Sequence, residues 1–461
     1  MVGRTDSYKL GHWRMLPPNC KEVLSYAEPR GGQFGYTVFF GLEYYLHKYL
    51  SSFNNRITPT DVEYVAARTA KHFGDNTIFN YDGWMDIATR LEGRLPLDIR
   101  AVPEGTKVPV GNVVMTIRNT DEKHAWLTNY VETLLLKVWY PSTVATLSRE
   151  AKQILKSYLE ETGDPSKLPF MLHDFGYRGV SSEESADIGG MAHMINFSGS
   201  DTFHANLVAE DVYGAEMASF SVPATEHSVM TMGGPEGETA LCERLMKEFP
   251  DGILSLVCDS YDTYNFCRNV IGTDLKAKVL QRDGVTVIRP DSGANIVNVV
   301  VNCLEILGEK FGVTTNDKGY KVLNPKIRVL QGDGLDIHRI KELCEGIKTA
   351  HWSLDNIATL GMGGGLLQKV NRDTQQWALK CCSAILGEDR VDVFKDPKTD
   401  HNKKSKRGWL DIVETPNGLV TINRDDKSDP NNKYNSILER RFYDGRVIHS
   451  PKWNEIKERA E

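Results

Sequence analysis

Polar and charged side chains recur at the ends of the apolar segments in the middle of the chain. Carboxylates, arginines, a histidine and glycines of this kind suit ligand binding and proton transfer. The clusters are residues 173–178, 198–201, 223–227, 259–262, 289–293, 332–336 and 361–365. Because Asp, Ser and Gly also cap helices in ordinary loops, a single cluster would more often be a cap than a site. Seven clusters in succession indicate instead a shared binding edge.

Arginines and glycines in these clusters predict an anionic ligand. Arg178 and Arg289 lie at or just after apolar segments, where a planar guanidinium would be poorly solvated unless it meets a phosphate or carboxylate. The glycines 363–365 allow backbone N–H groups to converge on a phosphate at the start of a helix, although a flexible turn would use the same residues. The ligand is therefore expected to carry phosphate.

Three aspartates and one histidine are further candidate site residues, and each is compatible with more than one role. Asp259, Asp291 and Asp333 suit ribose hydroxyls or Mg²⁺, which prefers oxygen ligands. His227 suits a general base, a phosphoryl acceptor or an ordinary hydrogen-bonded loop residue. There is no H-E-x-x-H motif, no zinc-ligand spacing and no P-loop, which disfavours zinc hydrolysis and Walker-type nucleotide hydrolysis.

The elements that must carry these clusters alternate between short apolar strands and helical stretches. The predicted strands are 170–175, 194–197, 217–222, 253–258, 285–289, 327–331, 356–360 and 379–385. Eight strands separated by helices predict a parallel α/β barrel, with all the clusters at the face where barrel active sites form. An open doubly wound sheet remains an alternative, but no G-x-G-x-x-G follows the first strand.

The length of 461 residues predicts two or three domains, at about 100 to 200 residues each. Residues 1–164 are expected to form most of a β-rich α+β domain, and residues 165–387 the barrel. Residues 388–461, with a hairpin turn at Asn417-Gly418, are expected to complete the β-rich domain.

The composition excludes several classes of protein. The chain is 40% hydrophobic and 25% charged, with a net charge of −7, which argues against a nucleic-acid partner. It begins without a signal-peptide core and has no apolar run of membrane-spanning length, so no membrane association is expected. The eight dispersed cysteines, without a C-x-x-C pair, indicate a reduced cytoplasmic protein.

Several motifs in the same order resemble the nicotinamide phosphoribosyltransferase family. They are T-D-S-Y-K (5–9), L-H-D-F-G-Y-R-G-V-S-S (172–182), S-V-P-A-T-E-H-S (221–228), C-D-S-Y-D (258–262), I-R-P-D-S-G (288–293), Q-G-D-G (331–334), G-G-G-L-L-Q-K (363–369) and V-F-K-D-P (393–397). The resemblance implies the type II phosphoribosyltransferase architecture, an irregular parallel (β/α) barrel with a β-rich α+β domain. It also implies a homodimer whose active sites lie at the subunit interface.

The activity implied by the resemblance is transfer of a 5-phosphoribosyl group from phosphoribosyl pyrophosphate to nicotinamide in NAD salvage. Mg²⁺ is the implied cofactor, held mainly through phosphates, with Asp259, Asp291 and Asp333 as candidate protein ligands. ATP is the implied co-substrate, coupled to turnover through a phosphohistidine at His227.

The remaining site residues are assigned by the same resemblance. Phe175 and Tyr8 of the partner subunit would sandwich the pyridine ring, Asp201 would accept from the carboxamide, and Asp6, Ser221 and Arg178 would complete this pocket. The phosphoribosyl group would meet Arg289, Asp291, Gly332, Asp333, Gly363, Gly364 and Arg372. Pyrophosphate and ATP would meet Arg30, Lys395, Arg178 and His227. The catalytic group would be His227, Asp259, Arg289 and Asp291.

Three alternatives remain open. Nicotinate phosphoribosyltransferase is the nearest, and Asp201 is the discriminator because its carboxylate would repel the carboxylate of nicotinate. A sugar-phosphate isomerase or lyase would need a buried carboxylate or lysine base, and no strand-end lysine is evident. A non-catalytic nucleotide-binding protein would leave the strand-end residues without a use.

Despite the negative net charge of the chain, basic residues including 403–407 are expected to gather around the substrate.

Overall fold

A computed structural model of the protein describes residues 1–399 and 404–461, and Lys403 therefore lies outside the described residues. The chain divides into two compact units. The sheet unit comprises Met1–Thr146, Asp211–Ala215 and Val370–Glu461. The barrel unit comprises Leu147–Glu210 and Glu216–Lys369.

Strands and helices are numbered in chain order. The strands are β1 (Cys20–Pro29), β2 (Tyr36–Val38), β3 (Leu97–Ala101), β4 (Lys107–Pro109), β5 (Met115–Asn119), β6 (Leu172–Asp174), β7 (Gly199–Ser200), β8 (Asp251–Val257), β9 (Asp283–Arg289), β10 (Val313–Thr315), β11 (Lys321–Leu323), β12 (Ile327–Gln331), β13 (Ile357–Met362), β14 (Trp377–Leu386), β15 (Asp389–Asp392), β16 (Leu410–Thr415), β17 (Gly418–Asn423), β18 (Glu439–Tyr443) and β19 (Arg446–Val447).

The α-helices are α1 (Leu42–Tyr45), α2 (Pro59–Phe73), α3 (Tyr81–Thr89), α4 (Ala125–Tyr130), α5 (Glu132–Leu135), α6 (Trp139–Thr162), α7 (Glu183–Met194), α8 (Phe203–Tyr213), α9 (His227–Thr231), α10 (Gly234–Glu248), α11 (Thr263–Asn265), α12 (Lys276–Gln281), α13 (Ile296–Phe311), α14 (Ile337–Thr349), α15 (Gly364–Leu367) and α16 (Trp453–Ala460). A 3₁₀-helix at Ser7–Arg14 precedes β1. In the described residues, no helix combines the length and the apolar character that crossing a membrane requires.

The sheet unit is built on an antiparallel seven-stranded sheet with the order β15-β14-β1-β5-β3-β18-β19. The interior strand β1 is continuously buried from Val23 to Pro29 and pairs with β14 on one side and β5 on the other. The C-terminal strand β18 pairs with β3, so both ends of the chain contribute to this sheet. The Asn417-Gly418 hairpin is present as the turn between β16 and β17, with Gly418 at a φ of 104°.

The barrel unit contains a six-stranded sheet, all parallel, with the order β7-β6-β13-β12-β9-β8. Its two edge strands are joined by one irregular segment, because Phe220 bridges to Gly199 of β7 and Ala224 bridges to Ser255 of β8, both in parallel. The sheet thus curls into an irregular barrel. This arrangement, together with the antiparallel sheet, confirms the predicted fold class.

Three of the predicted strands are wrong. Residues 194–197 end α7 and the turn after it, since a short apolar run fits either a helix or a strand. Residues 217–222 form only an isolated bridge rather than a ladder. Residues 379–385 belong to β14 and not to the barrel, so the barrel predicted for 165–387 loses its last strand. β14 pairs antiparallel with β1 and with β15.

A buried arginine ties together the N-terminal ends of β8 and β9, opposite the edge that carries the clusters. The guanidinium of Arg282 donates to the carbonyls of Phe249 (2.7 Å), Gly252 (2.8 Å) and Val285 (3.1 Å). Its side chain is buried, and it satisfies carbonyl groups that would otherwise lack partners. Arg282 thereby links the first residues of β8 and β9.

Candidate active site at the carboxyl ends of the barrel strands

Phe175 lies at the end of β6 against a backbone made of glycines. A Cβ at position 361 would lie 2.0 Å from Cε2 of Phe175, and one at position 332 would lie 2.9 Å from the same atom. The backbone N–H of Phe175 donates to the carbonyl of Met362 (3.1 Å). The guanidinium carbon of Arg289 lies 5.1 Å from the ring centroid. The ring is therefore clamped in place at the binding edge.

Asp174 fastens the loops after β6 and β7 to each other. Its fully buried carboxylate accepts hydrogen bonds from Thr202 Oγ1 (2.6 Å), the backbone N–H of Gly176 (2.7 Å) and Ser200 Oγ (3.4 Å). Burial raises the pKa of this carboxyl group in spite of these donors. Asp174 holds the backbone of both loops, although the sequence assigned it no role.

Asp201 presents a half-exposed carboxylate at the end of β7. Its Oδ1 accepts from His173 Nε2 (3.0 Å) and from Ser221 Oγ (2.5 Å). Burial favours a higher pKa, but these two hydrogen bonds and the charges of His173 and Arg289 outweigh it and hold the pKa of Asp201 below its usual value. The carboxylate is thus ionised and its position is held from one side.

His227, at the first position of α9, joins two of the predicted aspartates. Its Nε2 lies 3.0 Å from Oδ1 of Asp259, which is almost fully buried, and its Nδ1 lies 4.0 Å from Oδ2 of Asp291. Asp291 in turn accepts from Nη2 of Arg289 (2.8 Å). The ends of β8 and β9 and the loop before α9 therefore share one chain of charged groups. The imidazole itself is half exposed and accessible.

The glycines after β13 pack closely against neighbouring loops. A Cβ at position 365 would lie 2.3 Å from the carbonyl oxygen of Leu335, and one at position 363 would lie 3.2 Å from that of Phe175. Position 364 has open space around it. Gly332 and Asp333 follow β12, the next strand in the sheet, and the Asp333 side chain is exposed. Arg178, after β6, is exposed and forms no ion pair with a described residue.

Twelve predicted site residues thus lie at one edge of the barrel unit. They are Phe175, Arg178, Asp201, Ser221, His227, Asp259, Arg289, Asp291, Gly332, Asp333, Gly363 and Gly364. Among the described residues, no group of three or more His, Cys, Asp or Glu side chains is arranged to hold a metal ion, Asp259, Asp291 and Asp333 included.

The other five predicted residues belong to the sheet unit. Tyr8 is 62% exposed on the 3₁₀-helix, and the neighbouring Asp6 accepts from Thr133 Oγ1 (2.6 Å). Arg30 donates from Nε to Glu28 (2.9 Å), while its buried Nη2 has no hydrogen-bond partner among the described residues. Arg372 and Lys395 are exposed.

Two family models match the chain. The model of the nicotinate phosphoribosyltransferase (NAPRTase) family matches residues 170–439, and that of the nicotinamide phosphoribosyltransferase N-terminal domain matches residues 1–99. The first spans more than half of the chain. The protein is a member of the nicotinate phosphoribosyltransferase family.

Curated relatives extend the match over nearly the whole chain. The chain is 47% identical over 413 residues to the nicotinamide phosphoribosyltransferase of Xanthomonas campestris, covering 89% of this chain and 86% of that one. It is 30% identical over 492 residues to the nicotinamide phosphoribosyltransferase of Acinetobacter baylyi, covering 98% and 95%.

Two solved structures share the fold of this chain. The nicotinate-nucleotide pyrophosphorylase of Pyrococcus furiosus superposes with a TM-score of 0.63 at 17% identity, over 99% of this chain and 93% of that one. The human nicotinic acid phosphoribosyltransferase superposes with a TM-score of 0.55 at 15% identity, over 99% and 92%. These likenesses confirm the type II phosphoribosyltransferase architecture.

Sequence reasoning missed several residues that accompany the expected family site. His173 was part of a motif but had no assigned role, although it contacts Asp201. In the sheet unit, burial lowers the pKa of Lys380, and the positive charges of Arg30 and Lys395 lower it further. Lys406 pairs with Glu28 beside Arg30. Lys380 lies within the predicted strand 379–385 and had no assigned role.

Proposed function

We propose that the protein transfers the 5-phosphoribosyl group of phosphoribosyl pyrophosphate to the ring nitrogen of nicotinamide. The products are nicotinamide mononucleotide and pyrophosphate. One observation carries the choice of acceptor: next to a clamped aromatic ring, Asp201 offers an ionised carboxylate whose Oδ1 is already occupied by two donors. A carboxamide N–H can donate to the remaining oxygen, while the carboxylate of nicotinate would be repelled.

The chemistry depends on charge and position. As pyrophosphate departs, positive charge develops on the anomeric carbon of the ribose, and the acceptor nitrogen must lie in line with the breaking bond. Stacking on Phe175 would orient the flat acceptor. Arg289, held by Asp291 at 2.8 Å, and the exposed Arg178 would offset phosphate charge. We propose that Mg²⁺ enters mainly through the phosphates of the substrate.

The assay compares nicotinamide with nicotinate as acceptors for the purified wild-type chain. We expect efficient formation of nicotinamide mononucleotide and a much lower kcat/KM with nicotinate. Asp201→Asn removes the negative charge at similar volume and should reduce this preference at least tenfold, since a hydrogen bond to a charged group contributes roughly 1.5–3 kcal/mol. Use of nicotinate alone would overturn the proposal and leave nicotinate phosphoribosyl transfer, the activity named by the family model of the barrel, in its place.

We also propose that ATP hydrolysis is coupled to turnover through phosphorylation of His227. The exposed imidazole, backed by the buried carboxylate of Asp259 at 3.0 Å, supports this role because the carboxylate orients the ring and stabilises its charge. His227→Ala should abolish the gain in activity on adding ATP, measured as the ratio of the rates with and without ATP. An equal stimulation of both proteins by ATP would contradict the coupling.

A homodimer with composite sites is the third part of the proposal. Exposed apolar side chains cluster around the irregular closing segment of the barrel unit, with Phe170 and Phe220 at a ring distance of 6.2 Å. Burial of these side chains by a second copy of the chain would offset their hydration cost.

A cytoplasmic location is also proposed, supported by the eight free cysteines.

A further inference from the structure

His173 lies between the interior of the barrel and the carboxylate of Asp201. It is a β6 residue that pairs with Gly361 of β13 and with Gly199 of β7, so its backbone is fixed from both sides. The side chain is mostly buried, and its ring centroid lies 5.3 Å from that of Phe175. Its position is therefore set by the sheet and does not depend on a mobile loop.

The imidazole fits its place closely because β7 has a glycine opposite it. A Cβ at position 199 would lie 2.6 Å from His173 Nδ1 and 3.3 Å from its Cγ. Any larger residue at position 199 would push the ring away from its present place. The close fit leaves the imidazole a single orientation, with Nε2 directed at Asp201 (3.0 Å).

The direction of this hydrogen bond follows from the charge of its partner. Asp201 is an ionised carboxylate and only accepts, so His173 must carry its proton on Nε2 and donate it. Ser221 donates to the same oxygen, Oδ1. No described side chain or backbone group donates to Oδ2, and about half of the Asp201 side chain is exposed. Oδ2 is thus the oxygen of this carboxylate that can accept from a ligand.

We propose that His173 is a positioning residue that sets the choice between an amide and an acid acceptor by orienting Asp201. This inference rests on the proposed function and goes beyond it, because the selectivity is assigned to a pair of residues and not to Asp201 alone. Without the imidazole donor, Ser221 alone would restrain a half-exposed carboxylate that can rotate about its last torsion. The carboxylate would then be ionised but poorly aimed.

The expected loss is confined to recognition of the acceptor. A hydrogen bond to a charged group contributes about tenfold or more in binding. His173→Leu and His173→Phe both remove the donor, and the second keeps a ring of similar shape. We expect each to raise KM for nicotinamide about tenfold, leave KM for phosphoribosyl pyrophosphate and kcat within about twofold, and lower the preference for nicotinamide over nicotinate.

His173→Gln restores a donor at nearly the same reach without an imidazole. It should recover most of the affinity and selectivity that the Leu and Phe variants lose, whereas a merely structural defect would not respond to a new donor. His338→Leu is the matched control, because His338 is exposed on α14 of the same unit. The full-length chain is used throughout, and thermal unfolding is recorded for every variant.

The outcomes separate this inference from the proposed function. Unchanged nicotinamide KM and selectivity in the Leu or Phe variant, while Asp201→Asn loses selectivity, would overturn the role of His173 and leave the function intact. A lower kcat together with a higher KM for both nicotinamide and phosphoribosyl pyrophosphate, without rescue in the Gln variant, would also overturn it. A wild-type chain that uses only nicotinate would overturn both. If either His173→Leu or His173→Phe does not fold, the other of these two variants and His173→Gln still test the role of His173.

Discussion

Glycine is required at the positions around Phe175 because the ring leaves no room for a side chain, and not because the backbone adopts a conformation that only glycine favours. Gly361 and Gly332 both lie outside the left-handed region, so their absent side chains serve to make room. The ring is packed against this backbone, and the Arg289 guanidinium carbon lies 5.1 Å from its centroid. A flat acceptor that stacks here meets a surface whose geometry is already set.

Gly361→Ala should displace the ring of Phe175, because its Cβ would lie 2.0 Å from Cε2. We expect KM for nicotinamide to rise at least tenfold, together with a loss of stability of about 1–3 kcal/mol from overpacking. The matched control is Gly237→Ala in α10, where no atom lies within 4 Å of the new Cβ. Steady-state kinetics and urea unfolding of both variants test this, and equal nicotinamide KM values in the two would contradict it.

A buried charge cluster links α1 to β18 within the sheet unit. Arg441 donates from Nε to Oε1 of Glu43 (2.8 Å) and from Nη1 to Glu439 (3.0 Å). Glu104 accepts from the backbone N–H of Glu43 (3.0 Å), which brings a second buried carboxyl group beside the first. Burial and the charge of Glu104 raise the pKa of Glu43 to about 8, although Arg441 opposes the shift.

This cluster should make the stability of the protein depend on pH. A carboxyl group with a raised pKa holds its proton more tightly in the folded than in the unfolded chain. The free energy of unfolding therefore falls as pH rises from about 4.5, the ordinary value, to about 8. Stability supplied by the bound proton is present below this window and lost across it.

Glu104→Gln should flatten this dependence, because it removes one of the two carboxyl groups and keeps an oxygen that can accept from Glu43. We expect the free energy of unfolding to be about 1 kcal/mol higher than that of wild type at pH 8, which is close to the energy equivalent of a shift of one pKa unit. The change at pH 5 should be smaller. Urea unfolding at both pH values measures it. Glu63→Gln, at an exposed position of α2, is the control. A slope equal to that of wild type would contradict the prediction.

The predicted site residues are divided between the two compact units of the molecule. The barrel unit holds twelve of them, including Arg178 and Arg289, and the sheet unit holds Tyr8, Asp6, Arg30, Arg372 and Lys395. An acidic chain of net charge −7 thus carries a local group of cations, in which Lys380 lies close enough to Arg30 and Lys395 to lower its pKa. Tyr8, at 62% exposure, is the aromatic side chain that we expect a second copy to cover.

Mixing two inactive chains tests the composite site. Tyr8→Ala and Asp333→Ala should each lose activity as homodimers. If Tyr8 of the partner subunit completes each site, a heterodimer carries one intact site and one doubly defective site. Random assortment of equal amounts then restores about a quarter of the wild-type rate, since half of the dimers are mixed. Verified heterodimers without activity would contradict a site shared between subunits.

Much of the candidate site was predictable because strand ends have a sequence signature. A short apolar run followed by Asp, Arg or Gly is typical of the carboxyl end of a strand in a parallel sheet. This pattern predicts the residues at the ends of six strands without any information about which strands pair. The errors occurred where this signature is ambiguous. The apolar run at 194–197 is as compatible with the end of α7 as with a strand, and β14 is apolar enough for a barrel although it pairs antiparallel with β1.

The residue types at each strand end, and with them the affinity for a phosphorylated and amide-bearing substrate, follow from the order of amino acids along the chain. The contacts between strand ends do not, because they depend on which strands become neighbours. His173 and Asp201 are 28 residues apart and meet only because β6 and β7 pair in one register. A hydrogen bond requires two atoms within about 3 Å, and that condition is set by the folded sheet.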